Sequence, residues 1–519
     1  MNILYRGSFL REGLQQLGHK LLPLHASSGS LTVAAAATGC TIDLVLLEIH
    51  GASMLPIDIY AFEGRIAFYC IDSTINEFWL YDICTLADDV FVDQLPSVAH
   101  FAKHGIRAQW LPLCVEEGAF RKPVQPKTID MAFVGTMSRT RIKRANMLTL
   151  LQRHVNVHVR EGVSPAVMQD IFASAHIVLN ENFFDGLTLR VFQGLASGSA
   201  LLTEEGQGLE ELFSPGDHLV SFTPATLLDW AEKMLTNPGY YTDMAAEGQR
   251  VCRQRHTSRI RAMQFLYALQ SGAASNPRKD TQTRRKFEAC GRCWRLVRYG
   301  SDSAQPVRDL RNTLAIQDEV DWKSAMLLAD MEMRRGNTTE AEKLYTGICG
   351  QGQPFPFLRL ALLRLRQQDT ESAVELMIEA IRQLPPEGMC SCRQLLQELT
   401  KAHSMAAYLL VMGHIYRIMG QPLFPGFAKR DDDPCPDTAV EFACKAWALE
   451  PSAEAADIML DCAIPAGVGG ELLPLLLEGI TQGILNDPQI IATAQLAYSY
   501  YAPDVAEALV DALRKSGRL

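Results

Sequence analysis

The sequence predicts an α/β half joined to an all-α half: two doubly wound, Rossmann-like domains followed by a region of helical repeats. Three observations predict this. Up to about residue 270, continuous apolar runs of about four to seven residues alternate with helical patterns. From about residue 320 the strand-like runs stop and helical spacing takes over. Within that second half, small and aromatic positions recur at a shift of 32 residues.

The strand candidates, in order, are MNILYRG, DLVLLEI, RIAFYCI, DVFVD and AQWLPL, then IDMAFVG, VNVHV, AHIVLN, SALLT and HLVSF. Runs that are continuous rather than alternating, and separated by helices, indicate parallel sheets covered on both faces. The Pro-containing stretch WLPLCVEEGAFRKPVQPK reads as a hinge between the two groups. This places one domain at residues 1–122 and a second at 123–270, with a cleft at the carboxyl ends of their strands.

Residues 271–315 read as a solvated basic linker leading into a helix. Between Arg278 and Arg298 stand eight basic residues against two acidic ones. An anionic partner surface is the alternative for this stretch. Residues 316–519 read as helix pairs. Ala325, Ala329, Gly336, Ala341 and Tyr345 are followed 32 positions later by Phe357, Ala361, Gln368, Ala373 and Met377. Small residues at these spacings let two antiparallel helices pack closely. The pattern resembles a tetratricopeptide-type array, whose stacked repeats offer a concave surface to a peptide or protein partner.

The formal net charge of the 519-residue chain is −10, which argues against a nucleic-acid partner. Its 13 cysteines follow no framework spacing, as expected for reduced thiols. The opening MNILYRGSFLREG lacks the order of a signal peptide, and no run of about 18 uninterrupted apolar residues exists. A cytoplasmic chain without a transmembrane segment is therefore expected.

One stretch carries chemistry: DGLTLRVFQGLASGSALLT, residues 185–203. It reads as loop, helix, turn and strand, with Arg190 in the first helical turn. A cation is unfavourable there unless an anion sits beside it. Gly186 allows close backbone approach, and the N–H groups that follow form a ready anion site. Arg190 and Gln193 share a helix face that can reach the cleft. The anion is then a phosphate held by the guanidinium fork, or else Glu181 or Asp185 fixing the loop. His50 and Asp72 end two strand candidates of the first domain, where a proton acceptor would face the cleft. Gly7 and Ser8 form a short loop after the first strand.

The segment from IDMAFVGTMSRTR through VLNENFFDGLTLRVFQGLASGSALLTEEGQGLEELFSPGDHLVSF to EGQRVCRQRHTSRIRAMQFL resembles the donor half of GT-B glycosyltransferases. The similarity is greatest to the CgeB-like group. FYCIDS and WLPLCVEEGAF extend it into the first domain. The resemblance implies that the first domain takes the acceptor and the second a nucleotide-sugar donor. It implies Gly135 and Thr136 beside the diphosphate, Arg139 and Arg141 on the loop after them, and Arg190 with Gly186, Leu187 and Thr188 on the departing phosphate. Asn180, Glu181 and Asp185 would touch sugar hydroxyls. Related enzymes often carry two glutamates eight residues apart, the second on ribose. Asp185 and Gln193 stand there instead, which leaves donor identity and stereochemistry open. Fixed donors would stabilise the leaving group without a metal or cofactor, and His50 or Asp72 would be the base of an inverting enzyme.

Three further patterns read as structural. Asp431-Asp432-Asp433 lies between helices rather than after a strand, as a solvated loop would. Cys290 and Cys293 have zinc-ligand spacing but no second pair. His256 begins the helix that crosses back to the first domain in GT-B folds. The expected partners are a nucleotide-sugar and a protein acceptor engaged by the repeats, for example a bacterial surface protein such as flagellin. The alternatives are a polysaccharide or lipopolysaccharide acceptor, or an inactive scaffold.

Overall fold

The computed structural model describes all residues except 26–28, 52, 123, 139–140, 183–185, 300–303, 317–320, 400–403, 421–432 and 466. The chain forms two compact units, Met1–Gly291 and Arg292–Leu519.

The first unit holds two wholly parallel sheets. One contains β1 (Asn2–Arg6), β2 (Lys20–Pro23), β3 (Leu44–Ile49), β4 (Ile66–Cys70), β5 (Asp89–Val92) and β6 (Ala108–Trp110), in the order β2-β1-β3-β4-β5-β6. The other contains β7 (Ile129–Val134), β8 (Val157–Arg160), β9 (Ala175–Asn180), β10 (Ala200–Glu204) and β11 (Val220–Phe222), in the order β11-β10-β9-β7-β8. Every residue of β3, β4 and β5 is buried, which is why those strands read as continuous apolar runs. All ten expected strands form. The eleventh, β2, escapes a sequence pattern because it is a four-residue edge strand with exposed ends.

The chain crosses between the sheets twice, side by side. Val115 N–H donates to the His256 carbonyl at 3.2 Å, and Ser258 N–H to the Val115 carbonyl at 2.8 Å. The helix Ser258–Ser271 then packs on the first sheet, through the short helix Arg11–Gln16. Gly13 makes that contact possible: a Cβ there would stand 2.1 Å from the Ser258 carbonyl oxygen. The chain thus leaves the second sheet near residue 256, and the helix that follows packs with the first domain.

The basic stretch is likewise no solvated linker where it follows this helix. Val90 N–H donates to the Ala274 carbonyl at 3.1 Å, and Ala274 is fully buried. Arg278 pairs with Asp88 at 2.8 Å and donates to the Glu63 and Gly64 carbonyls. Arg284 donates to the carbonyls of Ile59 and Leu86. These guanidinium groups satisfy backbone oxygens that the strand and turn ends leave open, which a local charge count does not reveal.

The second unit is helical throughout its described residues. Trp322–Arg334 packs on Thr338–Ile348, Phe355–Arg366 on Thr370–Arg382, Met405–Ile418 on Ala439–Leu449, and Asp487–Ser499 on Pro503–Lys515. Ala329, Ala341, Ala361 and Ala373 are fully buried, as close helix pairing requires. The 32-residue register also shows in the backbone. Gly336 and Gln368 end equivalent helices with φ of 81° and 63°, although only the glycine takes that conformation without steric cost. The segment Asp433–Asp437 lies against three of these helices. Arg359 brackets Asp330 at 2.9 and 3.0 Å, contacts Asp437, and donates to the Pro436 carbonyl at 2.6 Å. Arg334 pairs with Asp433, so this last residue of the acidic triplet is an ion-pair partner. Asp431 and Asp432 lie outside the described residues.

Candidate active site

The carboxyl ends of β7 and β9 bring three arginines together. Arg190, in the first turn of the helix Leu189–Ala196, reaches back across the sheet end. Its Nε donates to the Val134 carbonyl at 2.9 Å and its Nη1 to Asn180 Oδ1 at 3.1 Å. Its guanidinium lies 4.4 Å from the centre of the Phe133 ring. Gly135 makes room for it, since a Cβ there would fall 2.4 Å from Nη2. Both hydrogen-bond acceptors are neutral. Burial, reinforced by the charges of Arg144 and Arg141, pushes Arg190 down to about 9, with only Glu181 opposing. The site is a positive charge with incomplete compensation, favourable to an anion.

Arg144 is the member that sequence reading missed. It lies on the helix Ile142–Gln152, pairs with Glu181 at 2.7 Å and holds the Thr136 carbonyl at 2.7 Å. Thr136 itself is exposed at the rim, and Arg141 precedes the same helix. The expected sugar contacts of Asn180 and Glu181 meet a different geometry. Both side chains are buried: Glu181 faces Arg144, while Asn180 donates to Asn182 and Thr203 and accepts from Thr188 at 2.7 Å. They orient the arginines and the loop from within. Asp185 and Arg139 lie outside the described residues. Gln193 is half-buried, one turn after Arg190.

Thr188 precedes the helix with its hydroxyl turned to Asn180, so no side chain caps the first N–H groups. The loop before it is held from the other domain. Gln94 accepts from Leu187 N–H at 2.8 Å through Oε1 and donates to the Leu187 carbonyl at 2.9 Å through Nε2. The same Nε2 donates to Asp93 at 2.9 Å. Asp93, just beyond β5, also accepts from the backbone N–H groups of Asp72 and Ser73 at 2.8 and 2.9 Å. Burial, with the charge of Asp72 added, raises Asp93 to about 6. Two adjacent residues therefore tie the turn at Asp72–Ser73 of the first domain to the loop before the helix Leu189–Ala196 of the second. Gln94→Ala is expected to speed hydrogen exchange at residues 186–190 about tenfold or more, with the strands of both sheets unchanged; unaltered exchange there would show that the clasp does not hold the loop.

Asp72 sits with φ 52° and ψ 45° immediately before the helix Ser73–Ile83. The residue is exposed on the cleft side, yet the protein atoms crowded around its carboxyl raise it by desolvation, opposed by the nearby charges of His50 and Arg141. His50 is exposed beyond β3, stacked on Phe9 with ring centres 6.0 Å apart. The structure thus brings His50 of the first domain and Arg141 of the second each within electrostatic reach of Asp72. Gly7 and Ser8 do not offer a phosphate cradle. The backbone N–H groups of Ser8, Phe9 and Leu10 all donate to the buried carboxylate of Glu48, at 2.6, 3.0 and 3.0 Å. His256 is buried between Phe192 and Phe213, held neutral by burial and by Arg261, which lower it to about 3. It packs the crossover rather than facing this site.

Residues 120–267 match a family model described as glycosyl transferase-like. The matched segment contains β7 to β11, the three arginines and the second of the two crossings, near His256. The match supports a glycosyltransferase. Among solved structures, the chain is similar to Anabaena HepE in complex with UDP and glucose, at 13% identity over 52% of this chain and 91% of that one, with a TM-score of 0.38. It is similar to a sucrose-phosphate synthase from Thermosynechococcus elongatus, at 11% identity over 52% and 95%, with a TM-score of 0.39. It is also similar to AviGT4, a glycosyltransferase involved in avilamycin A biosynthesis, at 16% identity over 51% and 89%, with a TM-score of 0.36. No curated protein matches the chain. Among the described residues, no helix is long and apolar enough to cross a membrane.

Proposed function

We propose that the chain transfers a sugar from a nucleoside-diphosphate sugar to an acceptor hydroxyl. The observation that carries this reading is Arg190: a desolvated guanidinium at an uncapped helix start, held by neutral oxygens, inside the glycosyl transferase-like segment. In the reaction the acceptor oxygen attacks the anomeric carbon, and the bond from that carbon to the phosphate oxygen breaks. The electron pair leaves with the diphosphate. Arg190, Arg141 and the N–H groups following Thr188 meet the charge that develops there, fixed in advance by the fold. Gly135 and Thr136 border that position. Asp72, or His50 beside it, takes the acceptor proton. Arginine charge thus does the work a metal would otherwise do at the leaving group.

The acceptor we place with this chemistry is a protein, such as a bacterial surface protein before export. Paired helices like those of the second unit suit peptide recognition. All 13 cysteines are free thiols, which fits the reducing cytoplasm we assign to the chain.

Isothermal titration with UDP, GDP, CMP and dTDP tests the donor site. One nucleotide is expected to bind, and Arg190→Ala to lose about 1.5–3 kcal/mol of that affinity, the range for a hydrogen bond to a charged group. If none binds at millimolar concentration, the transferase reading fails and a scaffold role takes its place.

A further inference from the structure

Arg6 ends β1, inside the first sheet, at the edge where parallel α/β sheets receive ligands. The ladder pairs Tyr5 with Leu46 and Arg6 with Leu47. Side chains alternate along a strand. Tyr5 accordingly turns to the face where its hydroxyl meets Glu48, at 2.5 Å, and Arg6 turns to the other. There its Nη2 is closed off from solvent and makes no hydrogen bond, and no ion pair to Arg6 exists among the described residues. Burial alone lowers it to about 10; no carboxylate raises it back.

Buried and part-buried arginines elsewhere in the chain differ. Arg144 has Glu181, Arg359 has Asp330, Arg284 has two carbonyls, and even Arg190 has a carbonyl and an amide oxygen. Arg6 is part-buried, and a guanidinium nitrogen shut off from solvent without a partner is destabilising by itself. It becomes favourable when an oxyanion arrives, because the fork geometry matches a carboxylate or phosphate.

We propose that Arg6 binds an oxyanion carried by the acceptor, a carboxylate or phosphate group, on the first domain. This rests on the transferase reading above. Two observations favour the acceptor over the donor diphosphate. The donor's charge is met by arginines of the second sheet. The backbone N–H groups beside Arg6, which a diphosphate would require, are already taken by Glu48. What remains is one guanidinium for one anionic group.

The test uses the full chain in four forms: wild type, Arg6→Met, Arg190→Ala and the double variant. Thermal unfolding is followed with inorganic phosphate or glucuronate against sodium chloride at equal ionic strength. The expected result has three parts. Arg6→Met raises the melting temperature of the free protein, leaves nucleotide affinity within about twofold, and, introduced into Arg190→Ala, removes the anion-specific stabilisation that Arg190→Ala by itself retains. Phosphate acting alone identifies a phosphorylated acceptor group, and glucuronate acting alone a carboxylate. The proposal is overturned if the stabilisation survives in the double variant, or if neither anion exceeds chloride. It is also overturned if Arg6→Met abolishes nucleotide binding, since Arg6 then serves the donor. Should the wild type bind no nucleotide while the anion effect follows Arg6, the transferase reading fails and the acceptor assignment goes with it.

Discussion

Asp72→Asn is expected to lower sugar transfer about 10²–10⁴-fold, the range for removing a general base, while nucleotide affinity stays within about twofold. The side chain is placed for this by its own backbone. A left-handed φ of 52° turns the chain between β4 and the helix Ser73–Ile83, and the N–H groups of Asp72 and Ser73 are held by Asp93. Aspartate tolerates this conformation better than most residues. Asparagine keeps the shape and removes the base. The pH dependence has a definite sign. Desolvation raises the Asp72 carboxyl above its ordinary 3.8, so the ionised base appears only as pH rises past that raised value. Transfer should therefore climb with pH through an inflection above 3.8, and Asp72→Asn should flatten it. Linkage gives the companion result for stability. A carboxyl raised on folding contributes most below its unfolded pKa and less as pH rises through the folded one. Asp72→Asn should cost no stability at neutral pH. Initial rates against pH for Asp72→Asn and His50→Ala decide the matter. A normal profile in the first and a collapsed one in the second would move the base to His50.

In the helical unit, Arg359→Ala is expected to cost about 3–5 kcal/mol, as breaking a buried ion pair does. Arg359 is 3% exposed and joins two carboxylates, Asp330 and Asp437, from separate parts of the chain. It also holds the Pro436 carbonyl at 2.6 Å and lies 3.3 Å from the Tyr416 hydroxyl. Alanine leaves both carboxylates and a carbonyl without their donor in a poorly solvated place. Tyr345, which donates to Asp330 at 2.6 Å, cannot replace a full charge. Hydrogen exchange across Phe355–Arg366, as a function of urea, measures the loss, with nucleotide titration as the check that the first unit is intact. A cost below about 1 kcal/mol would mean that solvent screens the cluster as it does a surface pair.

Much of the fold is legible in the sequence because burial on two faces leaves a continuous apolar signature. VLL in β3 and IAFY in β4 need no partner to be recognised. The 4-residue edge strand β2 has no such signature. Arg190 was legible for a different reason: a cation in a first helical turn contradicts the helix dipole, and a local contradiction is visible locally. The family resemblance implies that Asn180 and Glu181 touch sugar hydroxyls. Only the packed structure shows that Arg144, Thr188 and Thr203 occupy their polar atoms.

By itself the sequence determined two parallel α/β domains, a helical second half with a 32-residue register, and one helix start suited to an anion. Each of these rests on spacing along the chain, over about a dozen residues for the strands and the helix start and over 32 for the repeat register. The tertiary structure alone decided which charges are compensated. Glu48 meets its N–H donors 38 to 40 positions away, Gln94 holds Leu187 at a separation of 93, and Arg359 meets Asp437 at 78. Among the described residues Arg6 Nη2 finds no partner for the same reason: strand alternation puts it on the face opposite the carboxylate that its neighbour Tyr5 reaches. Periodicity is a property of local chain geometry. Charge compensation depends on distances between remote segments, and those exist only after the sheets and crossovers have formed.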